Sequence, residues 1–200
     1  MSRSGRIRVL GEHDLAHLPA PCGACPLGSP THADTEPSWA AAAVARFGFC
    51  GVAVVDRDQI VGYLLVSPAL NVPSTHPIAH GARTPDSAVI MSVRVLEPYH
   101  RVGYGKHLVQ AVAARLLRQA ACLEAAGVQG GRSCQIPPRE WLEAVGFAPC
   151  DDAPALGGVV RMRLDLESTV AWRPDLRWAL EWVDGLVSRP AQPEHPRVRQ

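Results

Sequence analysis

The hydrophobic and polar positions divide the chain into segments of different period. Residues 7–10 alternate and predict a short first strand, and 12–17 predict a brief helix. Residues 19–37 are rich in Pro, Gly, Ser and Thr and predict a loop. Thr35-Glu36-Pro37-Ser38 offers a hydroxyl cap and a proline for a first helical turn, and the helix runs through Trp39 and the alanines to Phe47, where Gly48 can end it. A hairpin follows, with strands at 50–55 and 60–66 and its turn at 56–58. Residues 71–85 form a long loop carrying His76 and His80, and 88–96 are an apolar, β-branched strand. Residues 106–126 place Leu108, Val112, Leu116 and Leu123 along one side of a long helix closed by Gly127. The next strand should pack beside 88–96, but Val128-Gln129-Gly130-Gly131-Arg132-Ser133 is poor strand material. Pro137-Pro138 starts a short helix at 139–145, ended by Gly146-Phe147, and 158–166 alternate as a last strand.

This order is a strand meander, then one strand–helix unit, then another helix and strand. It predicts an α+β domain with a mixed sheet, not a repeated βαβ series. Residues 174–187 predict a C-terminal helix with a leucine and valine stripe and a second face bearing Trp178 and Trp182. That aromatic face is expected to dock on the sheet or, alternatively, on a second copy in a homodimer. A single domain over 1–187 is expected, with a disordered tail at 188–200 that carries three prolines.

Composition narrows the function classes. Hydrophobic residues make up 47% and charged residues 20%, as in soluble globular proteins. A net charge of +1 leaves no electrostatic footprint for nucleic acid or an anionic membrane. No apolar run approaches the ~20 residues of a membrane span. The N-terminal arginines are not followed by an apolar h-region, so a cytoplasmic location is expected. The six cysteines are then expected as reduced thiols. Cys22-Gly23-Ala24-Cys25 has the spacing of half a zinc site or of a redox pair. His17, His32 and Cys50 are the candidates for further ligands, but the motif lies between prolines and no second C-x-x-C exists. Free loop thiols and no metal are therefore expected.

The most chemically informative stretch is His100-Arg101-Val102-Gly103-Tyr104-Gly105, between the 88–96 strand and the following helix. A helix start carries backbone N–H groups without acceptors and positive potential, and glycines allow an anion to approach. A dinucleotide fingerprint would need a third glycine where Leu108 stands. A P-loop would need a hydroxyl where His107 follows Lys106.

The segment resembles the acyl-CoA turn Q/R-x-x-G-x-G/A of the GCN5-related N-acetyltransferase (GNAT) superfamily, with His100 in place of Gln or Arg. Val93-Arg94-Val95-Leu96-Glu97-Pro98-Tyr99 resembles that family's lead-in, and Trp141 to Phe147 its short helix ending in Gly-Phe. Gly146-Phe147 and the alternation at 159–166 are similar to one actinobacterial-type branch. The resemblance implies a GNAT fold, with acetyl-CoA as cosubstrate and an amine, on a small molecule or a protein, as acceptor. It implies that the backbone N–H groups of Arg101, Val102, Gly103, Tyr104, Gly105 and Lys106 hold a pyrophosphate. It also implies that Val93 to Val95 pair with the pantetheine arm, with the Val95 N–H polarising the acetyl carbonyl. The family's usual general acid, a Tyr, corresponds to Leu142. Cys134 is a candidate substitute, or else a small buried apolar residue, and Glu97 is a candidate base or a solvated strand end. The alternative function is a non-catalytic GNAT-like module for regulation or assembly. The Val128 to Ser133 segment discriminates: a formed strand there, splayed from 88–96, would favour the enzyme, and a collapsed loop filling the cofactor slot the module.

Overall fold

The computed structural model describes residues 5–19, 38–80, 84–130, 135–150 and 158–166. The chain divides into two units, Met1–Thr169 and Val170–Gln200, and every described residue belongs to the first. The C-terminal helix and tail expected from the sequence, the Cys22/Cys25 pair and Cys134 lie outside the described residues.

Among the described residues seven strands, numbered in chain order, form one sheet in the order β1-β2-β3-β4-β5-β7-β6. β1 (Arg6–Leu10) pairs antiparallel with β2 (Gly51–Asp56), which pairs with β3 (Gln59–Pro68). Between β2 and β3 the turn is Arg57-Asp58, both with positive φ (+48 and +65), as the twist of a two-residue hairpin demands. β3 pairs antiparallel with β4 (Ser87–Val95). β5 (Cys122–Val128) is parallel to β4, while β7 (Val159–Asp165) runs antiparallel to β5 and pairs with the short β6 (Ala148–Pro149). The sheet is thus mixed and mostly antiparallel, as the α+β reading expects. The two-residue β6 carries no alternation and escapes sequence reading.

Among the described residues three α-helices flank the sheet. α1 (Trp39–Phe47) starts one turn later than the Thr35 cap would place it. Its cap is Ser38, whose Oγ accepts the Ala41 N–H at 3.1 Å, and Gly48 closes it at φ +81. α1 packs on β3, and α2 (Tyr104–Leu116) spans β2, β3 and β4. α3 (Arg139–Ala144) rests on β5 and β7. Leu10, Leu64, Ile90, Leu108, Leu116 and Leu123 are fully buried between these layers.

The long helix expected over 106–126 is instead two elements. α2 ends at Leu116, whose carbonyl accepts both the Gln119 and Ala120 N–H groups while Arg118 turns to φ +69. Cys122–Val128 then forms β5, in the place the sequence reading gave to 128–133. Every β5 residue but Val128 is buried. A strand buried on both faces lacks the alternation of a half-buried one, so periodicity cannot tell it from helix. The Leu116 to Leu123 spacing fits both.

Candidate active site

β4 and β5 share only three pairs, Ser87 with Cys122, Ala88 with Leu123 and Val89 with Glu124. Beyond them β4 continues to Val95 and β5 to Val128 without pairing. The split has a visible cause. In the β3–β4 ladder Leu65 faces Ser92 but Val66 faces Ile90, so Met91 is an extra residue. Such a bulge bends its strand and sharpens the local twist. At the far end β5 takes a different neighbour. The Val128 N–H donates to the Pro137 carbonyl at 3.3 Å, and Val128 bridges Pro138.

A cleft of about 890 Å³ lies between the end of β4 and the Pro137-Pro138 segment that follows β5, and runs to the start of α2. Val93 and Val95 line one wall, and Pro137, Pro138 and Trp141 another. The backbone direction of β4 follows from one bond. The Leu96 N–H donates to the Val61 carbonyl of β3 at 2.8 Å. Backbone groups alternate sides along a strand, so Arg94 also points to β3, while the amides of Val93 and Val95 point into the split.

The turn between β4 and α2 is built from local chemistry. Glu97–Tyr99 form one 3-10 turn with a proline inside, where a missing N–H costs nothing. Arg101 and Gly103 then take φ +62 and +93. Left-handed residues interspersed in a turn bring successive N–H groups to one concave side. The first bond inside α2 runs from the His107 N–H to the Gly103 carbonyl at 3.1 Å, so the Gly103 and Gly105 amides precede it. α2 begins at Tyr104, two residues before the expected start. Tyr104 is buried with its ring stacked near Tyr99, centroids 6.3 Å apart, so its backbone and not its hydroxyphenyl ring serves the turn.

Nothing lies within 4 Å of a Cβ built on Gly103, whereas one on Gly105 would meet Trp141 Cζ2 at 3.0 Å. The open side at Gly103 and the indole beside Gly105 make a cradle for a flat or anionic group. His100 closes the other end. Its Nε2 lies 2.7 Å from the Val95 carbonyl, and since a carbonyl only accepts, the ring donates. The imidazole therefore ties the turn to the end of β4.

Of the residues read from the sequence, Val93, Val95, Glu97, His100, Arg101, Gly103, Tyr104, Gly105 and Lys106 all line the cleft. Val102 is 49% exposed and is not among the lining residues. Tyr99, Pro137, Pro138 and Trp141 line it without having been singled out as site residues, as does Arg94 within the Val93 to Val95 stretch. For the prolines the signal was present, because Pro-Pro at a helix start makes a stiff wall. Leu142 is fully buried, against the Cβ position of Gly127, and offers no proton. His76, which the sequence places in the long loop at 71–85, is buried too. Cys50 is buried, and its thiol donates to the Leu10 carbonyl.

Residues 14–135, more than half of the chain, match the model described as the acetyltransferase (GNAT) family. The chain belongs to this family. A search of curated proteins finds no match to the sequence. Among solved structures, NAA60 of Arabidopsis thaliana in complex with acetyl-CoA is similar over 81% of this acetyltransferase-family chain and 99% of its own, with 13% identity and a TM-score of 0.50. That likeness concerns the GNAT fold. The ribosomal-protein-S18-alanine N-acetyltransferase of Escherichia coli is similar over 82% and 94%, with 16% identity and a TM-score of 0.45. An aminoglycoside 6'-N-acetyltransferase complexed with coenzyme A matches 58% and 72%, with 14% identity and a TM-score of 0.42.

Proposed function

We propose that this protein transfers an acetyl group from acetyl-CoA to a primary amine. The observation that carries the reading is the parting of β4 from β5 directly upstream of the glycine cradle. One continuous cleft thus joins an anion site to a slot lined by backbone donors. The turn amides around Gly103 and Gly105 hold the pyrophosphate, with Arg101 and Lys106 adding positive charge. The pantetheine arm lies along β4, and the Val93 and Val95 amides point at it. There the Val95 N–H stabilises the oxyanion formed as nitrogen attacks the thioester carbon. The C–N bond forms, the C–S bond breaks, and the proton lost by the amine balances the one gained by the thiolate. Glu97 is the one carboxylate among the described lining residues and is our candidate acceptor of that proton. The splayed strand is β5 at Cys122–Val128 and not the 128–133 segment, of which 131–133 lie outside the described residues; its parting from β4 supports this reading over a non-catalytic module.

The test is calorimetric titration with acetyl-CoA, followed by an acetyl-CoA consumption screen across amine classes. Binding is expected for the native protein. Gly105→Glu, which puts a carboxylate against Trp141 and the phosphate cradle, is expected to weaken it at least a hundredfold. Unchanged affinity in that variant would remove the turn from the site.

A further inference from the structure

The bulge at Met91 opens the cleft, yet a bulge leaves backbone groups outside the ladder, and a buried carbonyl needs a donor. Met91 is 1% exposed. Its carbonyl lies 3.3 Å from His76 Nε2, and His76 is itself 1% exposed. The other ring nitrogen, Nδ1, accepts the Ile78 N–H at 3.3 Å. These two bonds fix the ring. Nδ1 must be bare to accept, so the proton sits on Nε2 and is donated to Met91. The His76 backbone is held as well, its N–H donating to the Pro73 carbonyl at 2.9 Å.

The same segment reaches the second lip of the split. The 3-10 turn Pro77–His80 packs on β5. Farther along, the Thr84 N–H donates to Oε1 of Glu124, a fully buried side chain on β5. Glu124 forms the last β4–β5 pair before the strands part. One stretch of chain therefore bonds to β4 at the bulge and to β5 at the vertex.

We infer that His76 is a positioning residue: by donating to the Met91 carbonyl it holds the bulge that sets the width of the cleft between β4 and β5. The inference rests on the acetyl-CoA reading above and adds a residue that touches neither the cosubstrate nor the glycine turn. It separates two parts of one ligand. The pantetheine arm uses the split, while the adenosine 3'-phosphate 5'-diphosphate portion uses the turn at Gly103 and Gly105.

Two substitutions dissect the ring. His76→Gln can keep a donor near the Nε2 position for Met91, while His76→Asn keeps an acceptor near Nδ1 for Ile78 and cannot reach the bulge. Affinities for acetyl-CoA and for adenosine 3'-phosphate 5'-diphosphate are measured by calorimetry for the native chain and both variants, with circular dichroism to verify folding. His76→Asn is expected to lose about tenfold for acetyl-CoA and to stay within twofold for the fragment. His76→Gln should stay within twofold for both. Retention of acetyl-CoA affinity by folded His76→Asn, or equal loss for both ligands, overturns the positioning role. So does a defect in His76→Gln as large as in His76→Asn. Failure of the native chain to bind either ligand overturns the acetyl-CoA reading instead, and the two failures are thereby distinct.

Discussion

Gly103 and Gly105 stand two residues apart and are needed for different reasons. Gly103 takes φ +93, which a side chain resists at roughly 1–2 kcal/mol even with open space around it. Gly105 has an ordinary helical backbone, and its constraint is the Trp141 ring. The glycine spacing was legible because the chemistry of a helix start is local. His76 was not legible, because its partner exists only once β3 and β4 pair out of step, a relation between distant residues. The thiols make a prediction at this scale. Burial, with the Asp14 charge adding to it, pushes Cys50 up to about 12. Burial and then the Glu124 charge push Cys122 up to about 11. Alkylation needs the thiolate, so at pH 8 iodoacetamide should label Cys50 and Cys122 only in denaturant, while the partly exposed Cys150 reacts in the native protein. A folded-state value above the ordinary 9.0 also has a sign for stability. The contribution is intact below pH 9 and is lost as pH climbs through 11 and 12, because the unfolded chain releases these protons first. Denaturant midpoints across that range check it, and substitution of both cysteines by alanine should flatten the fall.

At the scale of elements, the hairpin, α1 and β4 could be read from alternation, caps and turn residues, each acting over a few positions. α2 and β5 could not be divided that way. Their boundary is set by the left-handed turn at Arg118 and by the demand of β4 for a parallel neighbour, and the apolar pattern runs through it unchanged. The α3–β5 contact shows how tightly the second half is fitted. A Cβ on Gly127 would sit 3.0 Å from both Leu142 Cδ1 and Met162 Cγ. Gly127→Ala is therefore expected to cost about 1–3 kcal/mol by overpacking. It should also shift α3, and with it the Trp141 wall of the cleft. Urea denaturation measures the first effect, and acetyl-CoA affinity the second. A neutral result in both would mean that α3 yields without cost.

At the scale of the whole molecule, element order alone leads to an α+β domain with a mixed sheet, and the sheet has that character. What element order could not supply is where two neighbours stop pairing. The parting of β4 from β5 gives this sheet an edge in its interior, and a bare edge is a template that another strand can complete. The protein limits that hazard with its own residues. His100 occupies the Val95 carbonyl, and the segment that bridges Val128 consists of two prolines, which bring carbonyls but no N–H to offer β4. The slot therefore cannot zip shut by extending the ladder, and its donors stay directed at whatever extended molecule enters. Hydrogen exchange reads this directly. At the end of β4 and just beyond it, the amides of Arg94 and Leu96, turned to β3, should exchange slowly with or without ligand. Those of Val93 and Val95 should exchange quickly in the free protein and slow by at least tenfold when acetyl-CoA is added. Equal protection of all four in the free protein would mean that the interior edge is already covered.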